Sequence, residues 1–261
     1  MLFNLGVFML LTDFSSWLAT LLETAKYKDY CVNGLCVEAS STVSNVVTGV
    51  SFRESLIDEA IECDADCIIV HHPHGFWSGD DKMPVGALGR KIQKLMKNNI
   101  SLFGFHLPLD GHVQIGNNAI IASRLGLKRV GGFIEAGERD VGIIGAFDLP
   151  ITRKAFVHRV QELFPLGIQS ELFFGPEHIH KVGICSGGGS SYMNEAFALG
   201  VDLYLTGEIK EETPIFVEEE RHNLIACGHH RTEIFGVEAL AEKIKADLKM
   251  PASFVNIDNA I

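Results

Sequence analysis

Three groups of imidazole and carboxylate side chains stand out along this 261-residue chain. His71 and His72 are adjacent, His106 is followed four residues on by Asp110, and His229 is followed four residues on by Glu233. Each group comes directly after a short apolar run: CIIV before His71, LFGF before His106 and NLIAC before Gly228-His229. A histidine just past a buried strand is fixed by the sheet. An acid four residues later folds back beside it if the intervening segment turns. Neutral imidazoles with carboxylates make up the ligand set of zinc, iron, manganese or nickel. His71, His72, Asp110, His229 and Glu233 together are too many ligands for one four-coordinate ion. Two divalent ions sharing a bridging carboxylate use them all, with Asp110 and Glu233 the candidates to bridge. Such a pair, about 3.5–4 Å apart, activates water and clamps an electrophile, as in metal-assisted hydrolysis. His74 and His230 stand beside the ligands and are the candidate catalytic proton carriers. His74, His112, His222 and His230 all lack the strand-end placement and by default read as solvated or as standing behind the ligands, with His74 and His230 the exceptions. Taken singly, an HH pair is commonly a surface turn and HxxxE is common in helices; the metal reading rests on three groups sharing one placement.

The elements that must position these residues follow from periodicity. A helix over about 13–25, capped by Thr12-Asp13, leads to a strand at 45–49 and a helix at 52–62 with Leu56, Ile57, Ala60 and Ile61 on one face. The run 67–70 is a buried strand, 85–97 a helix and 102–105 a strand. Asn117-Asn118 either cap a helix over 119–125 or steady the nearby Asp110. A second cycle comprises VGIIGAF, a helix at 154–163, KVGICSGGGSS, a helix near 192–199, and strands at 203–206 and 223–227. Glu59–His72 aligns without gaps on Glu195–Glu208. LFGFHLPLD aligns on the strand ending at His229, so that His106 falls on His229 and Asp110 on Glu233. The pattern predicts an α/β protein of two similar halves related by internal duplication. Gly187–Ser191, between a strand and a helix, is either a tight turn or a phosphate cradle. It has neither the Walker lysine nor the GxGxxG spacing.

Composition removes some classes. With 33 acidic and 22 basic residues, a formal charge of -11 and no Lys/Arg run beyond two, broad attraction to nucleic acid or to an anionic membrane is disfavoured. The apolar content of 47% suffices for one large core or two moderate ones. The opening MLFNLGVFMLL has no leading basic residue and is too short to span a bilayer, so no signal peptide or membrane span is expected. Met9 is an alternative start. Cys31, Cys36, Cys63, Cys67, Cys185 and Cys227 form no CxxC pair and no disulfide scaffold, which places the protein in the cytoplasm. Cys63 and Cys67 are read as buried, reduced core thiols or, alternatively, as a metal pair.

The segments KDYCVNGLCVEA, HHPHGFW, HLPLD, ICSGGGSS, TGEIKEET and GHHRTE are together similar to the Nif-three-like family, typified by bacterial YbgI and often labelled GTP cyclohydrolase type two. The resemblance runs through nearly the whole chain. It implies two similar α/β domains, residues 1–128 plus 222–261 and an inserted domain 129–221, with a dinuclear metal site in the cleft between them. It also implies homohexamers built as trimers of dimers. Its ligands fall on His71, His72, Asp110, His229 and Glu233, with His106 and Glu208 near the site but outside the ligand set. This sequence departs from the family at Cys36, where glutamine is usual, and at Pro214-Ile215, where relatives often carry a histidine. The function so implied is a metal-dependent hydrolase of a small substrate such as a nucleotide, GTP ring opening being one example. The alternative is a non-catalytic metal-binding ring or scaffold with a protein or nucleic-acid partner.

Overall fold

Runs of β-branched and aromatic residues become the central strands of two sheets, because a parallel strand covered on both faces must be apolar throughout. The computed structural model describes residues 8–80 and 83–261; of the two candidate initiators, Met1 lies outside that range and Met9 within it. In chain order the first elements are β1 (Met9–Leu10), α1 (Leu11–Leu21), β2 (Gly34–Val37), β3 (Thr42–Val43), β4 (Val46–Ser51), α2 (Glu54–Glu62), β5 (Cys67–His72), α3 (Gly86–Lys97), β6 (Ser101–Gly104), α4 (Leu107–Gly111) and α5 (Asn117–Arg124). They are followed by β7 (Lys128–Glu135), β8 (Asp140–Thr152), α6 (Arg153–Leu163), β9 (Ser170–Phe173), β10 (His178–Cys185), α7 (Met193–Ala198) and β11 (Leu203–Thr206). The last are α8 (Thr213–Glu219), β12 (Asn223–Ala226), α9 (His229–Thr232), α10 (Ile234–Leu248) and β13 (Ala252–Phe254).

The chain divides into two compact units, the first running to Leu109 and including Gly236–Asp258. Its five-stranded sheet has the order β13-β4-β5-β6-β2, the first four strands parallel and β2 antiparallel to β6. Val46–Val50 of β4 and Cys67–His71 of β5 are buried without a break. On one side α2 lays Leu56, Ile57 and Ala60 against Val47, Ile68, Val70 and Leu102. Each such buried Leu or Ile contributes about 1.5–3 kcal/mol.

The second unit comprises Asp110–Phe235 and Asn259–Ile261. Its six-stranded sheet has the order β7-β8-β10-β11-β12-β9, with β10, β11 and β12 parallel and the flanking strands antiparallel. Its core gathers Ile121, Phe147, Phe156, Val160, Ile184, Leu205 and Ile225. The Thr152 side chain accepts a hydrogen bond from the Ala155 N–H and so caps α6.

The protein is thus α/β. Both units contain three parallel strands closed by an antiparallel edge strand, β4-β5-β6-β2 in one and β10-β11-β12-β9 in the other. The aligned repeats fall on β5 and β11.

Several sequence expectations are corrected. Thr12-Asp13 do not cap α1, whose N-cap is Leu10 without a side-chain bond; Asp13 lies in the first turn, where a carboxylate favours the helix dipole. Asn117 and Asn118 lie inside α5 instead of capping it, and their amides are spent on tertiary bonds. The two compact units divide the chain at 109/110 and 235/236. Asn118 ties α5 to the Val141 carbonyl and the Ser186 N–H of the second unit. There β12 is hydrogen-bonded between β11 and β9. The Val237 carbonyl on α10 accepts from Thr48 Oγ1 of β4, which joins that helix to the first unit. Cys67 is buried but Cys63 is exposed, so the two do not form a pair of core thiols. Among the described residues no helix is long and apolar enough to cross a membrane.

Candidate metal centre

In the first unit, β5 delivers His71 and His72 at its carboxyl end. His71 is fully buried, and its Nδ1 lies 3.0 Å from the Phe105 carbonyl oxygen. A proton on Nδ1 directed at that carbonyl places the ring's lone pair on Nε2, the tautomer a metal ligand needs. The His71 and His72 ring centroids are 4.5 Å apart. The turn beyond them is tightly held: the Phe52 and His74 N–H groups, each 2.9 Å away, both donate to the His72 carbonyl. Pro73 packs on Gly104, where a Cβ would lie 2.6 Å from the proline ring. Lys91, buried on α3, donates to the Phe52 and His74 carbonyls at 3.0 and 3.3 Å and sits 3.9 Å from the centre of the Phe52 ring. Burial holds its pKa below the ordinary lysine value despite the nearby Glu54 charge.

His106 joins these two. His71, His72 and His106 each offer a ring nitrogen, and the three nitrogens lie within 4.8 Å of one another. His106 Nδ1 is 3.0 Å from Asp29 Oδ1. Asp29 Oδ2 accepts from the Leu107 N–H and from Asn33 Nδ2, and Asn33 Oδ1 accepts the His106 N–H. Burial pushes the Asp29 carboxyl up. The hydrogen bond and charge of His106, then the bonds from Asn33 and Leu107, outweigh it and leave the group below its ordinary value.

The second unit carries the acids. Asp110 is 5% exposed, and its Oδ1 accepts from Asn117 Nδ2 at 2.8 Å and Ser186 Oγ at 3.0 Å. Of the two roles open to Asn117, steadying the acid is the one observed. His229 stands between two carboxylates, with Nδ1 3.3 Å from Glu208 Oε1 and Nε2 3.2 Å from Glu233 Oε1. Burial pulls the His229 pKa down, but the hydrogen bond and charge of Glu233, reinforced by Glu208, raise it to about 9. Cys185 lies behind this group, its thiol pushed up by burial and by the charges of Asp110 and Glu233. The Gly187–Ser191 loop serves as a tight turn here. The Gly187 N–H donates to Thr232 Oγ1 at 2.9 Å, and its carbonyl accepts from the Gly207 and Glu208 N–H groups at 3.1 Å.

The other histidines divide. His74 is exposed and accepts a long 3.5 Å bond from Trp77 Nε1. His230 is 5% exposed on α9, and its N–H donates to the Ile261 carbonyl. The candidate ligand groups include neither. His112 is not simply solvated: its Nδ1 accepts from the Gln114 and Ile115 N–H groups. His222 stacks on Phe197 at 3.7 Å, and burial lowers its pKa. Sequence reading passed over Asp29, Lys91, Ser186 and Thr232. Asp29 lies in KDYCVNGL and Ser186 in ICSGGGSS, both segments otherwise distinctive, but nothing local to either shows which side chain it will meet.

Known proteins share the sequence family and the fold. The family model described as Duf34/NIF3 (NGG1p interacting factor 3) matches residues 9–260. A Pseudomonas aeruginosa relative named GTP cyclohydrolase 1 type 2 homolog is 37% identical over 238 residues, covering 91% of this chain and 93% of its own. An Escherichia coli K12 relative of the same name is 36% identical, covering 91% and 94%. Among solved structures, the ybgI protein of unknown function superposes with a TM-score of 0.90 at 33% identity, covering 97% of this chain and all (100%) of that one. A Thermus thermophilus protein gives 0.87 at 29%, with 97% and 100% coverage.

Proposed function

The chain belongs to the Duf34/NIF3 family, and on that premise we propose that it is a metal-dependent hydrolase of a small substrate such as a nucleotide. In this reading two divalent ions would be held by His71, His72, Asp110, His229 and Glu233. The donor set fits zinc, iron, manganese or nickel, since it combines imidazoles with carboxylates and contains no thiolate. When bound, the ions supply Lewis acidity to water and to the electrophile.

The observation that carries this reading is the support behind three of the five ligands. The Phe105 carbonyl orients His71, Asn117 and Ser186 orient Asp110, and Glu208 orients His229. Metal-ligating histidines and carboxylates ordinarily have such partners, which fix the ring tautomer and the direction of the lone pair. His106 is turned by Asp29 in the same way and stands close to His71 and His72. His74, exposed at the end of the HHPH turn, is placed to exchange protons with solvent. His230 is more enclosed and suits a relay. The relatives' name, GTP cyclohydrolase 1 type 2 homolog, makes GTP ring opening the first reaction to try. The repeated strand order supports descent of both units from one duplicated ancestor, and a ring of six copies completes the reading.

The test is metal content by mass spectrometry for the wild type, His72→Ala and Asp110→Ala, followed by turnover on nucleotides, phosphoesters and amides. The expected outcome is about two equivalents in the wild type, clear loss in both variants, and turnover that tracks occupancy. Full occupancy without turnover anywhere in the panel rejects the hydrolase. Light scattering on the same samples tests the hexamer.

A further inference from the structure

Beside the histidines of the first unit lies a group of aromatic rings that the ligand set does not use. Tyr30 precedes β2 and Trp77 follows β5, yet their centroids are 5.5 Å apart and the planes are inclined by 33°. Tyr30 is 5.0 Å from His106, and Trp77 is 5.1 Å from His106 and 5.9 Å from His72. Neither ring belongs to the core cluster around Val47 and Ile68. Tyr30 is 59% exposed and Trp77 half-buried. The two loops are nevertheless joined by backbone bonds. Cys31 and Trp77 form an antiparallel bridge, the Ser78 N–H donates to the Tyr30 carbonyl at 2.7 Å, and Asp80 Oδ2 accepts from the Gly75 and Trp77 N–H groups at 3.0 and 2.9 Å.

The Tyr30 ring stays largely exposed on a segment held by main-chain bonds, so where it stands it removes little apolar surface from water, while the half-buried Trp77 ring is fixed beside it. Their faces suit a planar π-system, and stacking of a base on a fixed aromatic side chain loses little side-chain entropy on binding. We infer that Tyr30 and Trp77 form a stacking surface for a purine base, which sets the base beside His72 and His106. The inference rests on the hydrolase reading for its purpose but not for its test. It names the part of the substrate that is recognised, and it makes Tyr30 and Trp77 binding residues that confer preference for a heterocycle over a bare sugar phosphate.

The experiment uses the full chain after metal removal by chelation, so that binding is read without turnover. A Trp17→Phe background leaves Trp77 as the sole tryptophan of the two in the chain. Guanosine is expected to quench its fluorescence, and ribose 5-phosphate is expected not to. By calorimetry, Tyr30→Ala and Trp77→Ala are each expected to weaken guanosine binding about tenfold, whereas Tyr30→Phe and Trp77→Phe keep it, because a π-face is all that is required. Tyr30 is exposed, so its alanine variant reports binding even if Trp77→Ala proves unstable by circular dichroism. Guanosine bound no better than ribose 5-phosphate, unchanged affinity in Tyr30→Ala, or a stronger response to tetramethylammonium than to guanosine overturns the inference. Binding that obeys these expectations in a protein that never turns over leaves the stacking surface standing and removes the hydrolase.

Discussion

Gly187 brings its backbone so close to Glu233 that a Cβ at this position would lie 2.0 Å from Oε1, and 3.0 Å from His229 Nε2. The glycine also has φ +61°, a region other residues enter at a cost. Both requirements explain why the first position of the GGG loop is a glycine.

Gly187→Ala therefore displaces Glu233 and strains the chain together. The expected loss is about 1–3 kcal/mol of stability, accompanied by loss of bound metal. Gly200→Ala is the control, since Gly200 has φ +78° but no atom within 4 Å of a Cβ there. Thermal melts and metal content of the two variants separate strain from displacement. If Gly187→Ala retains full metal, the close approach to Glu233 has no functional weight.

The two carboxylates around His229 set a pH dependence in metal-free protein. Its folded pKa, about 9, lies above the ordinary 6.5, so the stabilisation it provides is complete below about 6.5 and disappears as pH rises through about 9. Denaturant titrations from about pH 6 to 10 on chelated protein should show this decline, and Glu233→Gln should flatten it. Imidazole NMR should find the His229 titration lowered in that variant. Divalent metal competes with the same proton, so apparent metal affinity should climb across this window. A His229 resonance titrating near 6.5 in the wild type would falsify the assignment.

Asp29 works in the opposite direction. Its folded pKa lies below 3.8, so it contributes stability above that value, and the contribution is lost as pH falls through the lower folded pKa. Asp29→Asn puts an amide where the Leu107 N–H, Asn33 and His106 all require an acceptor. A cost of about 1–3 kcal/mol is expected, with a shifted His106 resonance. Acid unfolding that is identical in wild type and variant would remove Asp29 from the account.

Lys91 predicts a local effect. Lys91→Met keeps much of the stem's packing but leaves the Phe52 and His74 carbonyls without their donor, at a cost of about 1–3 kcal/mol. Because His74 is tied through this ammonium, hydrogen exchange should quicken at residues 72–76 before it does in α2. Uniform acceleration across the first unit would show instead that Lys91 is general packing.

The sequence by itself determined the strands that carry the candidate ligands. β5, β6, β11 and β12 are short, largely apolar runs, and the histidines at or just past the ends of β5, β6 and β12 were legible because a strand's end is marked by the loss of apolar residues. Helices such as α3 and α6 were legible from their apolar spacing, and the segments HHPHGFW, HLPLD and GHHRTE carried the family. Tertiary structure decided what those signals could not encode. Asn117 faces Asp110 instead of its own helix terminus because its amide finds a buried carboxylate seven residues away, across a turn. Asp29 reaches His106 over 77 residues of sequence, and Ser186 reaches Asp110 over 76. The same holds for the pairing of β12 with β11 and β9 and of α10 with Thr48. Local pattern depends on each residue's own preference for water or apolar surroundings, so it can be read from neighbours in the chain. A buried hydrogen bond depends on which polar group the fold places opposite, and that is settled only when distant segments pack together.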